Sequence, residues 1–255
     1  MKKYRGVFLK NANEIAVMRE SNRLVAMALD EMEAAVRPGV TTMLFEEIAR
    51  DFCTRHNVKP SFLGYQGFPF ALCCSVNEEV VHGFPSSKRV LVDGDIVSFD
   101  FGVVLDGFHG DSARTHGVGS VSEQKQQLMD VTRESLSKGI AAAQVGNNLN
   151  DIGMAVQRHV EAHGFSVIRR FVGHGIGLHL HEKPEIPNYF APGLPELPLQ
   201  EGMVLAIEPM VATGSYEVAV LDDGWTAVMR DGGMSAHFEH TVVVSAEGPQ
   251  ILSLP

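Results

Sequence analysis

The sequence predicts a fold of mixed helices and strands arranged as two similar αβ halves. Apolar residues recur at helical spacing near the start, strand segments dense in Val, Ile and Phe follow, and the pattern of the first half returns in the second. The 255 residues leave ample chain for a sizeable core. No linker or low-complexity stretch divides them. The chain therefore reads as one domain over 1–255, with halves at roughly 13–120 and 121–250.

The first helix starts near Asn13 and runs to Val36, with Ile15, Met18, Val25, Leu29 and Met32 on one face and Pro38-Gly39 as its stop. Thr41 or Thr42 caps a second helix that reaches His56. Residues 60–85, rich in Gly, Pro and aromatics, read as loop with short strands. Val90–Leu105 reads as strand, Asp106-Gly107 as a hairpin turn, and 108–118 as the return strand. Ser122 caps a third helix to about Ala143, and a fourth spans Leu149–His163 and ends at Gly164. Five prolines make 184–200 a long irregular loop, after which strands alternate with turns.

The repeat is visible in two places. PGVTTMLFEEIA at 38–49 returns as VGNNLNDIGMAV at 145–156, which matches Gly39 with Gly146, Phe45 with Ile152 and Ala49 with Val156. DGDIVSFD at 93–100 returns as EGMVLAIE at 201–208, which places Asp100 on Glu208. The following strands, GDSART and FEHTVV, place Asp111 on Glu239. Matched acids in matched strands favour duplication over chance and bring acids from both halves to the centre.

Composition narrows the function. The balance of 31 acidic against 21 basic residues gives a net charge of −10, which opposes non-specific binding to nucleic acid or anionic membrane. No window approaches 18 uninterrupted apolar residues, so no membrane-spanning helix is expected. The basic N-terminus lacks the apolar run of a secretory signal. Cys53, Cys73 and Cys74 make neither a disulfide framework nor a zinc motif, which favours a reducing, cytoplasmic setting.

Asp100, Glu208 and Glu239 each interrupt a stretch that otherwise reads as buried strand. An unpaired buried carboxylate costs several kcal/mol or is forced to protonate. For any one of them a partner Arg or backbone donors is the commoner answer. Three such acids plus Asp111 would need several buried cations, and few Lys or Arg lie in apolar segments. A divalent ion satisfies them together, and carboxylates with an imidazole suit Mn, Fe, Co or Zn. Hairpin register supplies a check. If Asp106-Gly107 is a two-residue turn, Asp111 faces Gly102 and becomes a diagonal neighbour of Asp100, about 7–8 Å away. A three-residue turn would put the two acids on opposite faces. His174 stands between Gly173 and Gly175, which lets the backbone approach a site closely. His179 and His181 share a face if their segment is extended. His82, taken alone, reads as an ordinary loop histidine.

Taken in order, NEEVVHG, SFDFG, GDSART, GHGIGLHLHE, IEPM and FEHT resemble the type I methionine aminopeptidases of the short bacterial form, over essentially the whole chain. The resemblance implies an α+β class, an α/β sandwich with the pita-bread fold: a curved antiparallel sheet with helices on its outer face and an internal pseudo-two-fold. It implies two divalent metal ions (Co, Mn, Fe or Zn) held by Asp100, Asp111, His174, Glu208 and Glu239. Asp111 and Glu239 would bridge, Asp100 would complete one ion, and His174 and Glu208 the other. It gives His82 and His181 to the substrate beside the scissile bond and makes Glu208 the proton shuttle between water and the leaving amine. His179 matches no catalytic position. Phe62, Tyr65, Cys73 and Trp225 are candidates to line the pocket for the first side chain, although Cys73 reads equally well as an ordinary buried thiol.

The implied activity is removal of the initiator methionine from peptides and nascent chains when the second residue is small, by a cytoplasmic monomer working close to the ribosome. Phe62, Leu180 and Ala206 depart from the common pattern, the first two at the methionine pocket and the third beside Glu208. Competing functions on the same fold are a proline-specific (Xaa-Pro) aminopeptidase, a metal-free creatinase-like amidinohydrolase, and a non-enzymatic binding protein. The first usually carries an extra N-terminal domain. The other two lack ligands that are all present here.

Overall fold

The computed structural model describes residues 2–255. The chain opens with a small hairpin, β1 (Lys2–Tyr4) and β2 (Val7–Leu9), then α1 (Ala12–Ala35) and α2 (Met43–His56). Next come β3 (Lys59–Pro60), a short 3-10 turn at Tyr65–Gly67, β4 (Leu72–Val76), β5 (Glu79–Val81) and the long hairpin β6 (Ile96–Leu105) and β7 (Phe108–Gly117). Helices α3 (Glu123–Ala142) and α4 (Leu149–Ala162) follow, then β8 (Ser166–Val167), β9 (Gly173–Gly175), β10 (Glu182–Ile186), β11 (Val204–Ile207) and β12 (Met210–Ala212). The chain ends with β13 (Val218–Val220), β14 (Ala227–Met229), β15 (Ser235–His237), β16 (His240–Ser245) and β17 (Gly248–Ile251).

Local chemistry explains the helix ends. Asn11 caps α1 by accepting from the Asn13 and Glu14 amides, while Glu14 reaches back to the Asn11 amide in a capping box. Ser122 caps α3 through the Lys125 amide, as its position suggests. Thr42 does not cap α2. Its backbone is already helical, and its hydroxyl donates to the Ser86 carbonyl and accepts from the Ser86 amide, so the group is spent on a distant loop.

Two strand expectations need correction. Only Ile96–Leu105 of the 90–105 segment is strand. Val90 makes one bridge to Thr41, and a turn then forms at Gly94, whose φ of 89° suits glycine. The loop from 184 to 200 begins inside β10. Pro184 is tolerated there because β10 is the edge strand of its sheet and its register breaks between Glu182 and Glu185.

All named strand pairs are antiparallel. β6 carries β7 on one edge and β3 and β4 on the other, and β10-β9-β11-β16-β17 form the second main sheet. The two meet along β7 and β16, chiefly through side-chain hydroxyls. Glu239 N–H donates to Ala113 O at 2.9 Å, Ser112 Oγ to Glu239 O at 2.6 Å, and Thr241 Oγ1 to Asp111 O at 2.8 Å. One buried core joins α1 and α2 to the β4–β6 region through Phe45, Phe52 and Phe99. Another joins α3 and α4 to β11 and β16 through Leu128, Ile152 and Leu205.

Several of the matched positions share local geometry. Gly39 and Gly146 both have left-handed backbones, with φ of 89° and 88°, and their N–H groups donate to Leu91 O and Leu199 O. Thr41 bridges Val90 as Asn148 bridges Pro198. Phe45 and Ile152 are both fully buried.

Candidate metal centre

The two-residue turn forms. Leu105 pairs with Phe108, and the register carries Asp111 opposite Gly102 and Asp100 opposite Ala113. Both acids therefore point to one face of the hairpin. Asp111 is fixed further by the close crossing of α1: a Cβ on Gly110 would lie 2.7 Å from Ser21 backbone, and the Asp111 amide donates to Asn22 Oδ1 at 3.2 Å. Glu208 follows the last residue of β11, and Glu239 precedes β16. His174 is the centre of β9, which pairs with β11 on one side and β10 on the other. Its flanking glycines have a different reason from the one expected. A Cβ on Gly173 would meet Ala206 O at 2.4 Å and one on Gly175 would meet Lys183 O at 2.2 Å, so the close approach is to neighbouring strands.

These elements bring the four acids and the imidazole together. Ligand atoms of Asp111, His174 and Glu239 all lie within 4.8 Å of one another. His174 Nε2 is 3.5 Å from Glu208 Oε1 and 3.9 Å from Asp111 Oδ2. His174 Nδ1 lies 3.0 Å from the Gly175 carbonyl, which can only accept, so Nδ1 carries the proton and Nε2 presents its lone pair to the carboxylates. Among the described residues, the ion pairs of these acids run only to His174 and His237, with no Lys or Arg.

The cage fits a divalent cation. Asp100 Oδ1, Asp111 Oδ1 and Glu239 Oε1 are buried with no hydrogen-bond partner. Burial pushes Asp100 up to about 7 and Glu208 up to about 8. Burial and then neighbouring carboxylates hold Asp111 and Glu239 well above the usual range. Burial also lowers His174 to about 3, which keeps it neutral and able to ligate. A divalent charge among such groups reverses the penalty on every carboxylate at once.

A small cavity of about 180 Å³ opens beside the cage, and Phe62, Tyr65, Cys73 and Trp225 all border it. Phe68 and Leu180 add apolar wall. Phe68 packs edge-on to Trp225 with ring centroids 5.1 Å apart. The Cys73 thiol is buried and pushed well above its usual pKa by that burial, so it is unreactive wall. His82 and His181 also border the cavity, outside the cluster formed by Asp111, His174 and Glu239. His82 adopts a left-handed backbone with φ of 61°, and burial, then His237 and His181, lower it to about 4. The 177–181 segment is bent, not extended. His181 reaches the rim of the site, with Tyr65 Oη 2.8 Å from its Nδ1, and both it and His179 are exposed.

His237 was missed by sequence reasoning. It is 1% exposed, and its Nε2 lies 3.5 Å from Glu208 Oε2. Its place two residues before Glu239 was the available signal, but the chain leaves one sheet at His237 and joins the other at His240, so strand alternation does not carry across.

Clustered carboxylates and imidazole arranged to take a hard cation, beside a small cavity with an aromatic wall, place the chain in the class of metal-dependent hydrolases. The family model described as metallopeptidase family M24, whose members use divalent metals, matches residues 16–246. The chain belongs to metallopeptidase family M24 and, within it, to the methionine aminopeptidases. It is 54% identical to the methionine aminopeptidase of Clostridium perfringens over 97% of this chain and 99% of that one. The crystal structure of methionine aminopeptidase from Thermotoga maritima superposes with a TM-score of 0.95 at 45% identity, covering 98% of this chain and 100% of that one. An X-Pro aminopeptidase from the same organism reaches 0.73 at 21% identity, covering 97% of this chain and 63% of that one, which shows a shared fold only. The fold is the pita-bread fold. No described helix is long and apolar enough to cross a membrane.

Proposed function

We propose that this chain removes N-terminal methionine from peptides and nascent proteins with a small second residue. The observation that carries the reading is the small cavity with one wall of Phe62, Phe68, Leu180 and Trp225 and the other formed by the carboxylate–imidazole cage. Asp100, Asp111, His174, Glu208 and Glu239 would hold two divalent ions, with Asp111 and Glu239 shared between them. Bound, the ions supply Lewis acidity that lowers the pKa of water towards about 7 and anchors the free α-amino group.

The chain's own groups do the rest. Phe62, Tyr65, Cys73 and Trp225 enclose the unbranched methionine side chain, which adapts to an irregular slot. Glu208 takes a proton from water and returns it to the leaving amine. His82, held neutral by burial, and His181 at the rim of the cavity, whose pKa partial desolvation lowers, donate to charge developing on the scissile carbonyl. A Tyr65 hydroxyl donating to Nδ1 of His181 leaves the proton on Nε2 for that purpose. The two similar halves, 13–120 and 121–250, act as one metallopeptidase domain. Three buried free thiols suit a reducing cytoplasm, where a monomer would meet nascent chains near the ribosome.

Turnover of Met-Ala-Ser against a Xaa-Pro peptide by protein loaded with Mn or Co, before and after chelation, tests this. Chelation-sensitive cleavage of Met-Ala-Ser alone is expected. Preference for the Xaa-Pro peptide, or full activity after chelation, would overturn it.

A further inference from the structure

Lys10 and Glu182 form an ion pair at 2.6 Å whose side chains are each only 1% exposed. Burying both charges costs more than most surface pairs return, so such a pair is weak grounds for stability and a better candidate for specifying geometry. Here the geometry leads to one residue. Glu182 directly follows His181. Its Oε2 accepts from Lys10 Nζ, and its Oε1 accepts from the His179 amide at 3.2 Å. One carboxylate thus fixes the turn on both sides of His181.

The turn is built around that carboxylate. A Cβ on Gly177 would lie 2.5 Å from Lys10 Cε and 2.8 Å from Glu182 Oε1, so a larger residue there would displace the pair. Lys10 itself is anchored, because its amide donates to Gly202 O at 2.8 Å and Asn11 next to it caps α1. At the other end His181 meets Tyr65 Oη and stands edge-on to the His174 ring, with centroids 4.3 Å apart.

We infer that Lys10 and Glu182 are positioning residues for His181: the buried pair ties the segment ahead of α1 to the 177–181 turn and sets where the imidazole stands against the scissile amide. The inference rests on the substrate-facing role of His181. A misplacement of about 1 Å in such a group commonly costs about a hundredfold in rate.

The test is a double-mutant cycle on enzyme loaded with Mn and assayed on Met-Ala-Ser. Lys10→Met alone should lower kcat by about tenfold to a hundredfold, with bound Mn and KM near wild type. In the His181→Ala background the same change should cost less than twofold, because the group it positions is gone. Exchange of the His179 amide with deuterium should quicken. Lys10→Met/Glu182→Gln carries no unpaired charge and retains an oxygen for the His179 amide, so it serves if the single variant does not fold. Equal losses with and without His181 would mean a general structural role and overturn the inference, as would an unchanged kcat. If His181→Ala itself leaves kcat intact, the role of His181 fails first and the inference falls with it.

Discussion

Asp111 stands directly opposite Gly102 across the β6–β7 hairpin. Asp100 is two residues from Gly102 on the same strand, so this pairing puts both acids on one face. No side chain fits at position 102: a Cβ would lie 2.9 Å from Gly110 O and 3.2 Å from the Phe62 ring. Gly102→Ala should therefore destabilise the fold by about 1–3 kcal/mol through overpacking. It should also weaken metal binding, because Gly110 precedes Asp111. Thermal unfolding and Mn titration of the variant check both effects, and an unchanged affinity would separate the hairpin from the cage.

Four buried carboxylates without a cation repel one another and the surrounding protein. Asp111→Asn or Glu239→Gln should accordingly lose metal binding while the metal-free variant unfolds at or above the metal-free wild-type temperature. Calorimetric titration and unfolding midpoints measure the two. A variant that keeps wild-type stoichiometry would show the ligand assignment to be wrong.

The histidines should separate by role. His82→Ala and His181→Ala should lower turnover by roughly a hundredfold to a thousandfold, about 2.7–4 kcal/mol, with bound metal near wild type. His174→Ala should release metal directly. Parallel metal analysis and kinetics decide, and metal loss in all three variants would merge the two roles.

Second-residue preference should be steric. Met-Ala, Met-Ser and Met-Gly peptides should be cleaved, and Met-Leu and Met-Lys should resist. Equal rates across the series would exclude a crowded cleft as the cause.

Acid sensitivity has an identifiable contributor. Burial, then Arg114, lowers His240 from 6.5 to about 4. Between those values the unfolded chain binds a proton that the folded chain refuses, so this group's stabilising effect is complete above pH 6.5 and lost as pH falls towards 4. The difference approaches about 3 kcal/mol at full burial. His240→Gln, compared with wild type in metal-free protein from pH 7 to 4.5, should lose less stability on acidification. Parallel curves would remove His240 from the account.

Much of this was readable in the sequence because burial leaves a local mark. Asp100, Glu208 and Glu239 stand out against apolar strand residues, and Asp106-Gly107 fixes the register that aligns Asp111. The repeat was legible because its turns need glycine at Gly39 and Gly146. What stayed hidden depends on contacts distant in the chain. Thr42 looks like a cap until Ser86 claims its hydroxyl, and His237 has no charged neighbour in sequence to announce its approach to Glu208. The bend that sets His181 against Tyr65 and His174 is tied through Glu182 to Lys10, far earlier in the chain.

The proposed ligands are spread widely along the chain. Asp100 and Asp111 are synthesised almost together, yet their partners His174, Glu208 and Glu239 follow much later, and the Glu239 amide must still reach Ala113 O across the line where β7 meets β16. Contacts so remote in sequence form late, after the loops between them have closed. Capture of an ion by the full proposed set should therefore follow these long-range contacts and not precede them. A nascent copy that has emerged only as far as the β6–β7 hairpin carries Asp100 and Asp111 without the three residues proposed to complete the cage.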